Sequence, residues 1–238
     1  MKGKLGILYG VSVGTGDPEL ITVKGLRILQ STKVVAFPAG IDNRQGIARS
    51  IIDRWLNPEQ ILLPLNFPYL QDEQKLRNAW KEAAQSVWQY LRQGIDVSFA
   101  CLGDISFYST FTYLAQTLQE LYLDAKIETI PGVSSITAIA SELEIPLTVN
   151  RQKLVILPAL YSVEELKTAL LWAEVVVLLK VSSVYEQVWQ ILHQQNLLSS
   201  SWIVEKATFP DRKIYHDLSD RPKLKLSYFS VLLIKNSL

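Results

Sequence analysis

Short apolar runs alternate with amphipathic stretches through the first half of the chain. Residues 5–11, 33–37, 61–65 and 96–101 are short and largely apolar, and each predicts a strand, as does the short stretch 126–130 before Pro131. Between them, residues 18–29, 45–55, 71–92 and 108–121 carry apolar positions at helical spacing. Asp17 is placed to cap the first of these helices, with Pro18 at its first position, and Gly94 ends the third. Repeated strand–helix alternation predicts a mostly parallel sheet covered on both faces.

The second half begins in the same manner and then changes. A helix is expected over 134–143, strands over 153–157 and 174–179 with a helix between them, and a helix over 184–195. The tail pieces 202–207, 213–216 and 228–234 are strand-like with no helix between them, which predicts antiparallel pairs in a mixed sheet. The fold class is therefore α/β in two domains. The first holds a parallel five-stranded sheet with helices on both faces, and the second a mixed sheet. We assign residues 1–130 to the first domain and 131–238 to the second; without a Gly/Ser-rich linker the boundary falls anywhere in about 118–148.

Composition narrows the function. The chain has 238 residues, 48% apolar and 20% charged, enough to bury a sizeable core. Basic and acidic residues balance, 13 against 13 in residues 1–130 and 11 against 10 in 131–238. Neither half has the excess positive charge of a nucleic-acid binder. The single cysteine, Cys101, excludes a disulfide framework and a thiolate zinc site, and suits a reducing cytoplasm. His193 and His216 lack metal-ligand spacing, so no metal is expected. Residues 1–13 loosely imitate a signal peptide, but no small-x-small cleavage site follows, and no apolar run is long enough to span a bilayer.

Three loops could carry chemistry, and all follow strands. Gly10-Val-Ser-Val-Gly14-Thr15-Gly16-Asp17-Pro18 lies where the first strand enters a helix. Its spacing is not the dinucleotide-binding pattern, and no acidic residue ends the second strand. Leu102-Gly103-Asp104 follows the fourth strand, where a glycine exposes backbone and an aspartate can accept from a ligand amine or hydroxyl. Pro131-Gly-Val-Ser134-Ser135 follows the fifth and offers hydroxyls and N–H groups at a helix start. Each reads equally well as turn or capping chemistry on its own. Together they would line one crevice beyond the carboxyl ends of a parallel sheet.

The order and wording of these motifs resemble the tetrapyrrole methylase family. The likeness is carried by Gly-x-Gly-Asp-Pro-Glu-Leu-x-Thr-x-Lys, Gly103-Asp104, Pro-Gly-Val-Ser-Ser, Val177-Leu-Leu-Lys180 and Val204-Glu-Lys-Ala207-Thr, and spans nearly the whole chain. Val35-Ala-Phe-Pro-Ala39, Leu65-Asn-Phe-Pro68 and Tyr108-Ser-Thr110 are similar to the branch that methylates C20 of precorrin-2. Thr15, Ser12, Ile105 and Gly25 depart from the family's usual residues, and Phe37 stands where some relatives have an acid.

The resemblance implies S-adenosylmethionine as methyl donor, held in a cleft between two α/β domains by Leu102, Gly103, Asp104, Ser134, Ser135, Leu179, Lys180 and Ala207. It implies a tetrapyrrole against Gly14, Thr15, Gly16, Asp17 and Tyr108, with Arg44, Arg49, Arg151, Lys153 and Lys180 as candidate partners for its carboxylates. It also implies a homodimer. No catalytic acid or base is assigned. Methylation of the cobalt-loaded substrate, a diphthine-synthase-like protein partner and a non-catalytic nucleotide-binding module remain as other readings.

Overall fold

The computed structural model describes residues 4–40, 45–68, 72–158 and 163–236. It divides into two compact units, Met1–Ser134 and Ser135–Leu238.

The first unit is built on five parallel strands, β1 (Ile7–Ser12), β2 (Val34–Pro38), β3 (Ile61–Leu65), β4 (Val97–Cys101) and β5 (Lys126–Ile130), in the order β3-β2-β4-β1-β5. β4 is buried at every position, as expected for a central strand covered on both faces. Helices α1 (Val23–Ser31), α2 (Ile47–Ile52), α3 (Glu73–Leu91) and α4 (Thr110–Leu121) make the crossovers. From β1 and β2 the chain moves toward β3, whereas from β3 and β4 it moves toward β5. Right-handed crossovers then place α1 and α2 on one face and α3 and α4 on the other. Two ring stacks join α3 to α4, Trp80 on Tyr113 at 4.6 Å and Trp88 on Tyr122 at 4.2 Å. Beneath them Leu8, Val87, Leu91, Phe99, Leu114 and Leu118 are fully buried, each contributing about 1.5–3 kcal/mol by transfer from water.

The first predicted helix is two pieces. A 3-10 turn, Pro18–Leu20, is capped by Asp17, whose carboxylate accepts the Glu19 N–H at 2.8 Å. Ile21 and Thr22 are then extended. Thr22 restarts the chain as α1, its hydroxyl accepting the Gly25 N–H at 3.1 Å. A threonine hydroxyl competes for a backbone amide, and here it cuts a continuous apolar period in two.

The second unit contains α5 (Ser135–Glu142), β6 (Leu154–Pro158), α6 (Glu164–Ala169), β7 (Val175–Leu179), α7 (Tyr185–Gln194), β8 (Ser201–Glu205), β9 (Lys213–His216) and β10 (Ser230–Lys235). Its sheet is mixed, in the order β6-β7-β10-β8-β9. β6 and β7 are parallel, and the last strand, β10, inserts between β7 and β8 antiparallel to both. β7 and β8 therefore run in the same direction with their carboxyl ends at one edge. The core is formed by Val176, Leu178, Val188, Leu192, Ile203 and Leu232.

Candidate functional site

In the first unit, β1 and β4 are neighbours whose onward connections leave to opposite sides. That is the topological switch at which open parallel sheets bind ligands, beyond the strands' carboxyl ends. The loops leaving these two strands are joined there. Val13 N–H donates to Cys101 O at 2.8 Å and Gly103 N–H to Gly14 O at 2.7 Å, a one-rung antiparallel bridge between the loops. Gly14 and Gly103 have φ of 75° and 73°, which glycine adopts without steric cost. A Cβ built on Gly103 would meet nothing within 4 Å, so its absent side chain faces open space.

Asp104 stands next to that open face but serves the protein. It is 7% exposed. One carboxylate oxygen accepts the Gly132 N–H, from the loop after β5, at 2.7 Å; the other accepts the Ser106 N–H at 2.9 Å and the Ser106 hydroxyl. The Ser12 hydroxyl at the end of β1 also reaches this carboxylate, while accepting the Ile105 N–H at 2.9 Å. Burial pushes the Asp104 carboxyl up, but these donors together hold it below the usual aspartate value.

The other expected residues of this unit lie on the same loops. Gly14, Thr15 and Gly16 are buried, Asp17 is partly exposed and spent on its cap, and Ser134 is buried. Tyr108 is 56% exposed with φ of 47°, just ahead of the α4 cap Ser109. Cys101 lies behind this loop, its Sγ 2.9 Å from Ser109 Oγ; burial pushes the thiol up to about 11, so it is no thiolate nucleophile at neutral pH.

The second unit gathers its own expected residues. Leu179 ends β7 and Lys180 follows it, Ala207 follows β8, and β10 begins between them. Lys180, Lys206 and Thr208 have φ of 59°, 50° and 67°, a concentration of left-handed non-glycine backbone of the kind that collects at working sites. Lys180 N–H donates to Ser230 O at 3.1 Å, and Lys206 N–H to Phe229 O at 2.9 Å. Lys180 Nζ lies 5.1 Å from the centre of the Tyr228 ring. Glu205, 5% exposed, accepts the Tyr215 hydroxyl at 2.8 Å and the Ser227 N–H at 2.6 Å. Burial raises its carboxyl, but the Ser227 N–H, the Tyr215 hydroxyl and the Lys213 charge bring it below the ordinary value. Ser135 opens α5.

The candidate cations are scattered. Arg49 donates from Nη2 and Nε to one oxygen of Asp53, at 2.6 and 3.1 Å, and lies 5.3 Å from the Phe37 ring centre. Lys153 stands at the amino end of β6, donating to Trp172 O at 3.0 Å and pairing with Glu174 at 3.5 Å, at the edge opposite Lys180. Arg151 is exposed, and Arg44 lies outside the described residues. From sequence, Ser12 stands out only as a departure from the family's usual residue and Glu205 only as part of a motif, and nothing marks Ser106; the role of a buried polar side chain at a strand end is visible only once partners from distant loops are in place. No group of three or more potential metal ligands occurs among the described residues, and no described helix is long and apolar enough to cross a membrane.

The family model of tetrapyrrole (corrin/porphyrin) methylases matches residues 7–221. A cobalt-precorrin-2 C(20)-methyltransferase from Salmonella typhimurium is 32% identical, over 98% of this chain and 97% of its own. A precorrin-2 C(20)-methyltransferase from Sinorhizobium is 28% identical, over 97% and 95%. Among solved structures, a uroporphyrin-III C-methyltransferase from Thermus thermophilus complexed with S-adenosyl homocysteine superposes with a TM-score of 0.64 at 17% identity, over 97% of each chain. A cobalt precorrin-4 methyltransferase superposes with a TM-score of 0.70 at 24% identity, over 96% and 94%. The chain belongs to the tetrapyrrole methylase family.

Proposed function

We propose that this protein transfers a methyl group from S-adenosylmethionine to C20 of precorrin-2 in the biosynthesis of cobalamin. The observation that carries the reading is the full-length similarity to relatives that bear this activity in their names. The first unit's geometry supports it, with an open backbone face at the sheet's switch point and no phosphate-binding fingerprint around it. A second reading, the same transfer to the cobalt complex of precorrin-2, is favoured by the name of the 32% identical relative.

The methyl donor suits the residues present. Leu102, Gly103 and Asp104 offer main chain beside an open space, and Ser134, Ser135, Leu179, Lys180 and Ala207 are proposed to complete its contacts. Gly14, Thr15, Gly16, Asp17 and Tyr108 are proposed to meet the tetrapyrrole. We keep residues 1–130 and 131–238 as the two domains and propose a cytoplasmic homodimer.

The donor supplies an already electrophilic sulfonium methyl. The chain's part is to align carbon, methyl and sulfur and to exclude water, which supplies up to about 7–11 kcal/mol. No side chain described above is poised as a general base. Cys101 is held protonated, and the carboxylates of Asp104 and Glu205 are occupied by internal donors. His193 stacks on Trp189 at 5.0 Å, and His216 lies on the edge strand β9.

Calorimetric titration tests the cofactor. Binding of S-adenosylmethionine and S-adenosylhomocysteine is expected with Kd on the order of micromolar, about −8 kcal/mol, with no appreciable heat from NAD or ATP. Tight NAD binding with no heat from either adenosyl ligand contradicts the reading.

A further inference from the structure

Beside the open face of Gly103, the Asp104 carboxylate is heavily engaged. Its donors come from three chain segments: Ser12 at the end of β1, Ser106 in its own loop, and Gly132 after β5. Gly132 lies so close that a Cβ there would fall 2.4 Å from Ser12 Cβ. The carboxylate thus sits in a closed knot of three strand ends, buried from water, one residue from the glycine whose missing side chain leaves room. A buried carboxylate with this many donors has little accepting capacity left for a ligand.

We propose that Asp104 is a positioning residue: its carboxylate clamps the loops after β1, β4 and β5 so that the open face of Gly103 holds the shape that receives the methyl donor. This rests on the proposed function, and it assigns the acid of the Gly-Asp pair to the protein side of the site. The clamp acts through hydrogen bonds only. An amide at position 104 keeps the size but replaces one acceptor oxygen with an N–H₂ donor. That donor must face either the Gly132 N–H or the Ser106 N–H, so one strap is lost. A side chain that merely held the fold would lower melting temperature and leave donor affinity alone at temperatures where the protein is folded.

The test compares wild type with Asp104→Asn and Ser12→Ala. Three quantities are measured: S-adenosylhomocysteine affinity, KM and kcat for S-adenosylmethionine, and amide hydrogen exchange at Gly132 and Ser106 without ligand. In Asp104→Asn, donor affinity is expected to fall at least about tenfold, through KM, with kcat at saturating donor within about threefold. Ligand-free exchange at Gly132 or Ser106 should rise in the same variant. Ser12→Ala keeps the carboxylate and serves if Asp104→Asn does not fold; weaker affinity with faster exchange at Ile105 is expected. Unchanged affinity in a folded variant whose exchange has risen overturns the proposal. Lost affinity with ligand-free exchange as in wild type also overturns it, since Asp104 would then touch the donor directly. If wild type itself binds neither adenosyl ligand, the proposed function falls instead.

Discussion

Gly103 joins a left-handed backbone, tied to Gly14 across the loop bridge, to open space where a side chain would be. A β-branched replacement resists that φ at a cost of about 1–2 kcal/mol and projects into the space. Gly103→Val is therefore expected to stay folded by circular dichroism and to bind S-adenosylhomocysteine at least about tenfold more weakly. Undiminished affinity in the folded variant would make this loop ordinary turn chemistry. Asp104 and Glu205 give the molecule a common acid sensitivity. Both carboxyls lie below their unfolded values of 3.8 and 4.5, so the stability they contribute is present above those values and is lost as pH falls through the lower folded ones. Melting temperature is expected to drop from about pH 5 downward, and Glu205→Gln to flatten that drop; an equally steep decline in the variant contradicts the assignment. A positioned proton-transfer group contributes 10²–10⁴-fold, so His193→Ala and His216→Ala are each expected to cost less than about tenfold in turnover. A thousandfold loss in either folded variant would mean that a histidine carries the chemistry. At this scale the sequence exposed the glycine and hydroxyl loops, because their residue types mark turns. It did not expose what Asp104 does, since Ser12, Ser106 and Gly132 reach it from positions 92, 2 and 28 residues away.

Among the elements, the first four strands of the first unit are legible because each is a short apolar run, and the fifth because a short stretch with Ile127 and Ile130 stops at Pro131. The first helix reads as one piece in the sequence because apolar spacing continues through Ile21, while the break depends on a single hydroxyl. Thr22→Ala removes the cap that restarts α1 and is expected to cost about 1 kcal/mol, within the usual range for a cap, seen as a lower melting temperature. No change would mean that packing alone sets the start of α1. In the tail, three strand-like pieces were legible, but not the placing of the last, β10, between β7 and β8. That choice follows from burial on both faces: β10 is buried from Ser230 to Ile234, and only an interior position supplies that. The insertion also brings Ser230 and Phe229 between Lys180 and Lys206, where they accept the amides of those two left-handed residues.

For the whole molecule, strand–helix alternation was enough to expect a parallel sheet followed by a mixed one. The order β3-β2-β4-β1-β5, which creates the switch between β1 and β4, is a long-range pairing that no local signal encodes. The switch makes the first and fourth loops neighbours, and the proposed methyl transfer depends on that. The most direct measurement is incubation of the protein with precorrin-2, or its cobalt complex, and S-adenosylmethionine carrying a ¹³C-labelled methyl group, followed by mass and NMR analysis of the product. One added methyl group, attached to C20, with formation of S-adenosylhomocysteine, is the expected result. A product methylated elsewhere on the macrocycle, or no transfer to either substrate by protein that binds the donor, contradicts the account.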